Sequence, residues 1–389
     1  MTRAEPSSPS LARNDQVDTD QVHGESREGS ARNFPCEGCG ADLTFHIGIQ
    51  SLTCPYCGYV KALREVSGEV AEQDYESMAR RMVALRRKRE SEASAETSCS
   101  EVTCGSCGST VRFVGALISR ECAYCGAPLQ LEGVQEARDH IPVDGVLPFL
   151  VERKQARGHL NAWIQSRWFA PNDFKKRGVD GRFNGVYLPY WTFDALTFNR
   201  YAGQRGEYYY VTVGTGKNRR TVRKTRWYPA AGEFQRFFDD VLVVAGEGLP
   251  SRRLRALEPW PLAKCIPYND EVLAGLLART YEVALDRGFL VAKGRMDIAI
   301  EAEVCRRIGG DTQRVHSIES AYDAITYKHL LLPVWMMAYR YGQKSYQVVV
   351  NAATGEVQGD RPYSWTKIAL AVLAGAVVVA GIALLLNQP

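Results

Sequence analysis

The chain has 389 residues, 45% hydrophobic and 10% aromatic, enough for two or three domains with a packed core. Its formal charge of +4 counts every thiol as neutral; eight thiolates remove eight charges and two zinc ions return four, leaving zero. A balance near zero gives no support to a general nucleic-acid binder, and eleven cysteines without a secretory signal argue against a disulfide scaffold.

Residues 1–32 are polar and charged, with almost no large apolar side chains, so the sequence predicts a disordered N-terminus on the cytoplasmic side. Next comes a cysteine quartet, Cys36, Cys39, Cys54 and Cys57, whose spacing returns as Cys104, Cys107, Cys122 and Cys125. Each CxxC wraps a tight turn that aims two sulfurs at one point, and two such knuckles complete a tetrahedron around Zn2+. Two structural zinc ions are therefore expected. Gly40, Gly58, Gly108 and Gly126 follow the knuckles, while Gly38 and Gly105 sit inside them, where a positive φ would cost little. Cys99, Cys265 and Cys305 are left over and read as bystanders.

Ribbon one covers 33–62, with a strand in which Leu43, Phe45, Ile47 and Ile49 alternate with polar or small residues. His46 lies on the opposite face and reads as structural, since the quartet is already closed. Residues 63–98 form a charged helical linker, with Met78, Met82 and Leu85 on one face and a basic run from Arg80 to Arg89. Ribbon two covers 99–132, with Val111, Phe113, Leu117 and Ile118 as strand residues. Arg32 and Lys61 balance Glu37 and Asp42 in ribbon one, and ribbon two carries one excess acid. These are not the basic footprints of nucleic-acid binders. They point to structural or protein-binding modules.

The region 140–363 is expected to be α+β with antiparallel sheets, in two units at 140–262 and 263–363. A helix over 149–169 places Ala156, Leu160, Trp163 and Ile164 on one face and stops before Pro171. Val186–Arg200 and Glu207–Val213, with Gly203 and Gly206 between them, predict a β-hairpin. Val241–Ala245 reads as a short strand closed by Gly246. In the second unit, helices are predicted at 270–287, capped by Gly288, and at 295–308, where Met296, Ile300, Val304 and Ile308 share a face. Strands follow at 330–341 and 345–350, then a turn at Asn351–Gly355. Leu188-Pro189-Tyr190-Trp191 and Leu332-Pro333-Val334-Trp335 hold matching places, which suggests a duplicated unit.

Ile368–Leu386 is a run without charge that spans close to the ~30 Å of a hydrocarbon core as a helix. Residues 366–386 thus read as one transmembrane helix. Arg361 and Lys367 before it place the N-terminal body in the cytoplasm, making the chain a single-pass protein of the inner membrane.

The search for catalytic chemistry is negative. Gly214-Thr215-Gly216-Lys217 fails as a phosphate loop, because Val211 stands where a glycine is needed and Asn218 where Ser or Thr is needed. Asp194, Asp239 and Asp240 are candidate catalytic carboxylates in principle, but paired acids at a strand start are more often surface or capping residues. The basic run Lys217, Arg219, Arg220, Arg223, Lys224 and Arg226 is a solvated loop or a contact for anionic lipid; single-stranded nucleic acid is the third reading.

The order of these parts resembles a known bacterial family. The two CxxCG quartets, Gly185 to Ala195, Ile308-Gly309-Gly310-Asp311, Lys328 to Trp335, Val350-Asn351 through Gly355-Glu356-Val357 and the terminal span are similar to the membrane-anchored, TFIIB-type double-zinc-ribbon proteins of bacteria. Members of that family carry a label as relatives of the primosomal helicase, yet this chain lacks the ATPase motifs such a label requires. The resemblance implies a place in envelope stress beside a flotillin-like SPFH-domain protein. The expectation is a non-enzymatic scaffold or adaptor that docks a protein partner at the cytoplasmic membrane face. The competing expectation is a membrane-tethered, replication- or helicase-associated zinc-ribbon protein that binds nucleic acid.

Overall fold

A computed structural model describes residues 34–64, 68–91, 141–177, 183–216, 219–246, 249–279, 281–341 and 344–386, with short strand segments at Gly29–Ser30 and between Cys99 and Gln130. The body is β-rich and antiparallel. Three short strands form ribbon one: β1 (Thr44–His46), β2 (Ser51–Thr53) and β3 (Val60–Ala62). Helix α1 (Tyr75–Ser91) and helix α2 (Arg153–Gln165) precede two very long strands, β4 (Asn184–Val213) and β5 (Arg220–Val244). Helix α3 (Leu285–Ile308) leads to a third long strand, β6 (Thr312–Tyr341), followed by β7 (Lys344–Asn351), β8 (Val357–Gly359) and helix α4 (Trp365–Leu386).

The sheet runs β5-β4-β6-β7-β8, each strand antiparallel to its neighbour. Thirty residues at about 3.3 Å each make β4 on the order of 100 Å long, against a usual strand of five or six residues. One half is the core of the body; the other projects as a three-stranded arm backed by α3. The buried stripe of α3, Ala292, Met296, Ile300, Val304 and Ile308, repeats every four residues. Such a row slants across the helix, which lets it lie obliquely on the twisted sheet against Trp191, Tyr201, Phe234 and Phe238.

The two Leu-Pro-x-Trp motifs meet at the centre of the sheet. Leu188 pairs with Leu332, Pro189 with Leu331 and Tyr187 with Pro333. Trp335 donates its indole N–H to the Val151 carbonyl at 2.8 Å, and Trp191 to Val283 at 2.9 Å. Strands drawn from both predicted units therefore share one sheet.

Several elements differ from the sequence reading. Gly203 and Gly206 do not turn the chain; β4 runs straight through them. A Cβ on Gly203 would lie 2.4 Å from the Arg314 carbonyl oxygen, and one on Gly206 2.6 Å from the Thr312 methyl. These glycines admit close strand approach. The hairpin reverses instead beyond the Val213–Arg220 pair, where Gly214 and Gly216 both take positive φ. The predicted helix 270–287 does not form as such: Asp270–Leu273 is a 3-10 turn, Gly275 has φ +75°, Leu277–Arg279 is a strand, and only its last residues, from Leu285, are helical, as the start of α3. Gly288 lies inside α3, where its missing side chain leaves room for the Trp191 ring. Strand β6 begins at Thr312 rather than 330, because its outer half alternates with polar residues and shows no apolar run.

Helix α2 matches expectation, burying Ala156, Leu160, Trp163 and Ile164 behind a capping box of Glu152 and Gln155. Positive φ in ribbon one falls on Gly40 and Gly58, just past each knuckle, rather than on Gly38. The predicted strand stops at His46, because the chain turns at residues 47–50 and Gln50 adopts φ +50°.

Candidate functional site

The first cysteine quartet is assembled by its two knuckles. The Gly40 N–H donates to the Cys36 carbonyl and the Gly58 N–H to the Cys54 carbonyl, closing each turn. The Gly38 N–H points at the Cys36 sulfur from 3.4 Å. Cys36 Sγ lies 3.5 Å from Cys57 Sγ, and Cys39 Sγ 3.5 Å from Cys54 Sγ, with all four sulfurs within 4.8 Å of one another. A disulfide would bring two sulfurs to about 2.05 Å. Four thiolates around one tetrahedral ion with ~2.3 Å bonds stand about 3.8 Å apart. The quartet fits the second geometry and could hold a metal ion. The Cys57 backbone N–H directed at Cys54 holds that thiol down to about 6, while the neighbouring sulfurs, against the pull of the Tyr59 backbone N–H, push Cys57 up to about 12, so protons are shared unevenly across the quartet.

This ribbon is part of the body's core. Cys36, Leu43, Phe45, Leu52 and Cys54 are buried in one cluster with Phe149, Tyr187 and Trp335. The Phe45 N–H donates to the Ala274 carbonyl, and the Gln50 side-chain amide to the Phe149 carbonyl at 2.8 Å. Its cysteines therefore anchor packing from one side while Cys39 and Cys57 face solvent. Cys104, Cys107, Cys122 and Cys125 lie outside the described residues. Around them, Thr110–Val114 pairs with Cys99–Thr103, and Leu117–Glu121 joins the main sheet through Leu277–Arg279. Burial pushes the Cys265 thiol up to about 12.

A second cluster was not legible as a unit in the sequence. Strand β4 bulges at Asp194, opposite Asp240, which takes a left-handed φ of +49° and donates its N–H to the Asp194 carboxylate. Asp194, Asp239 and Asp240 together have ligand-like spacing. The Lys328 ammonium already supplies the cation there, at 2.9 Å from Asp240, 3.2 Å from Glu72 and 3.8 Å from Asp194. Burial works against the charge on Lys328, but the carboxylates of Asp240, Asp194 and Glu72 outweigh it and hold its pKa above the ordinary lysine value. Such a lysine keeps its proton and is no base. Nearby, Asp144 accepts from the His329 N–H at 2.7 Å and the Gln73 amide at 3.1 Å, while burial pushes its carboxyl up to about 6. Glu72, Lys328 and Asp144 come from three distant segments, so no local motif announces them.

The arm has two unlike surfaces. Beneath α3 the odd-numbered residues of β4 from 195 to 203 are buried; on the far face Phe198 is 40% and Phe237 60% exposed. Arg200 lies between Glu233 and Glu319 on the flanking strands, with its guanidinium 2.7 Å from Glu233. Phe198, Arg200, Glu233 and Glu319 border an open groove of about 550 Å³. At the far end the hairpin carries stacked cations: Arg223 over Tyr208 at 4.2 Å, Arg226 over Tyr209 at 5.2 Å and Arg314 over Trp227 at 4.0 Å. Lys217 lies outside the described residues.

Comparison with known proteins places one relative beside these features. The chain is 22% identical over 338 residues to the uncharacterized protein YdjG of Bacillus subtilis strain 168, covering 87% of this chain and 92% of that one. No protein-family model matches, and no solved structure matches. The relationship is distant and of near full length. It names no activity.

Helix α4 is long and apolar enough to cross a membrane, and none of its Trp365–Ala383 window is buried against the body.

Proposed function

We propose that the chain is a non-enzymatic scaffold, fixed to the cytoplasmic face of the inner membrane by α4, that holds a protein partner on the open face of its β-arm. The observation that carries this reading is the arm itself. A three-stranded sheet covered by α3 on one face leaves Phe198 and Phe237 to solvent on the other. Beside them Arg200 is flanked by two glutamates, a local charge that repels a phosphate backbone and suits an apolar or basic protein surface. Zn2+ is the metal that the Cys36, Cys39, Cys54 and Cys57 geometry favours, with a second ion on Cys104, Cys107, Cys122 and Cys125. Both ions would be structural, holding ribbons onto the body. The docking role expected of the ribbons moves to the arm, because ribbon one spends its apolar face on the core.

The test is affinity purification of the full chain from its native membranes, wild type against Phe198→Glu with Phe237→Glu. A discrete protein retained by wild type and lost from the variant supports the reading; identical profiles overturn it.

The cation–π pairs at the hairpin end favour a second reading, a membrane-tethered binder of single-stranded nucleic acid through Arg220, Arg223, Lys224 and Arg226. Binding to an oligonucleotide that falls steeply as salt rises would support that alternative.

A further inference from the structure

The start of α4 is pinned to a loop of the body. Lys367 donates its ammonium to the Ala170 carbonyl at 2.8 Å and the Trp168 carbonyl at 3.3 Å, and the Ser364 N–H donates to the Phe169 carbonyl at 2.8 Å. Lys367 is the last charge before the apolar run, so it marks headgroup level if α4 spans a bilayer. The loop backbone is therefore one hydrogen bond from that level. It presents Trp168 at 75% exposure and Phe169 at 37%, beside Tyr363 at 55% and Trp365 at 81%.

Nothing in water accounts for four exposed aromatic side chains clustered at one end of a protein whose other core tryptophans, Trp163, Trp191, Trp260 and Trp335, are buried. Tryptophan and tyrosine partition to the membrane–water interface, where the ring is apolar and the polar edge stays wet. Arg167 and Arg361 sit behind the same rim, stacked on Trp163 and Tyr363. Two guanidiniums side by side suit a layer of anionic headgroups better than bulk water. The opposing charge nearby is Glu356.

We propose that Trp168 and Phe169 form, with Tyr363 and Trp365, an interfacial platform that seats the body directly on the lipid surface, so that the protein has a fixed orientation rather than swinging from its anchor. This rests on the reading of α4 as a transmembrane helix, and deepens it.

The test uses the full chain reconstituted in phosphatidylcholine–phosphatidylglycerol vesicles, with lipid either plain or brominated near the glycerol backbone. Of seven tryptophans, Trp168 and Trp365 are the exposed pair at this end, so Trp168→Phe is expected to remove about half of the bromolipid quenching. Trp365→Phe removes the other half. Phe169→Trp, which adds a reporter at the rim, increases quenching. Unchanged quenching in both Trp168→Phe and Phe169→Trp overturns the platform while leaving the anchor intact. Release of the wild-type chain from vesicles by alkaline carbonate overturns the anchor itself, and the platform with it.

Discussion

Lys328 shows how much one side chain can organise. It is 12% exposed and faces Asp240, Glu72 and Asp194, of which Asp194 is buried. Replacing it by methionine keeps most of the volume but leaves the buried Asp194 carboxylate without its cation. Lys328→Met should cost about 3–5 kcal/mol in chemical denaturation. Asp144 makes the complementary prediction about pH. Its folded-state pKa is raised to about 6, so its favourable contribution is present below the unfolded carboxylate value and is lost as pH rises through 6. Against wild type, Asp144→Asn should therefore gain on the order of 2–3 kcal/mol between pH 4 and pH 7. Thermal melts of both proteins at the two pH values check this. A constant gap would show that burial does not govern that carboxyl.

Among elements, ribbon one and α3 carry the clearest consequences. Because Cys36 and Cys54 share a core with Phe149 and Trp335, losing the metal should loosen the body and not the ribbon alone. Cys39→Ser with Cys57→Ser should lower the metal content by one ion per chain and lower the melting temperature of the main transition. An unchanged melt would mean that the ribbon folds without metal. Gly288→Val would push a side chain into the Trp191 ring, which a Cβ alone approaches to 2.8 Å, and should cost about 1–3 kcal/mol.

These elements also show what the sequence made legible. The knuckle spacing, the buried face of α2 and the stripe from Met296 to Ile308 were readable, because each is a local pattern set by one periodicity. The arm was not. Gly203 and Gly206 resemble turn signals, and only the proximity of Arg314 and Thr312 explains them. Gly288 looked like a cap for the same reason. The Lys328 cluster depends on contacts spanning more than 250 positions, which no window of sequence contains.

For the whole molecule, the pairing of the two Leu-Pro-x-Trp motifs across β4 and β6 gives the body a near-symmetric centre, with ribbon one and α2 packed around it. Helix α4 joins at one end, where Phe174 stacks on Tyr339 near the close of β6. The basic hairpin lies at the opposite end of β4, on the order of 90 Å along the strand. A body seated on its anchor end would present the arm, with Phe198 and Phe237, between the two. The distinction between protein and nucleic-acid partners is thus also a distinction of place along one strand.

The most direct measurement is site-specific photo-crosslinking in intact membranes, with a photoreactive phenylalanine in place of Phe237. The account predicts a discrete protein adduct at Phe237 that disappears with Phe198→Glu. An adduct only with nucleic acid, or none at Phe237 in membranes that retain the chain, would contradict it.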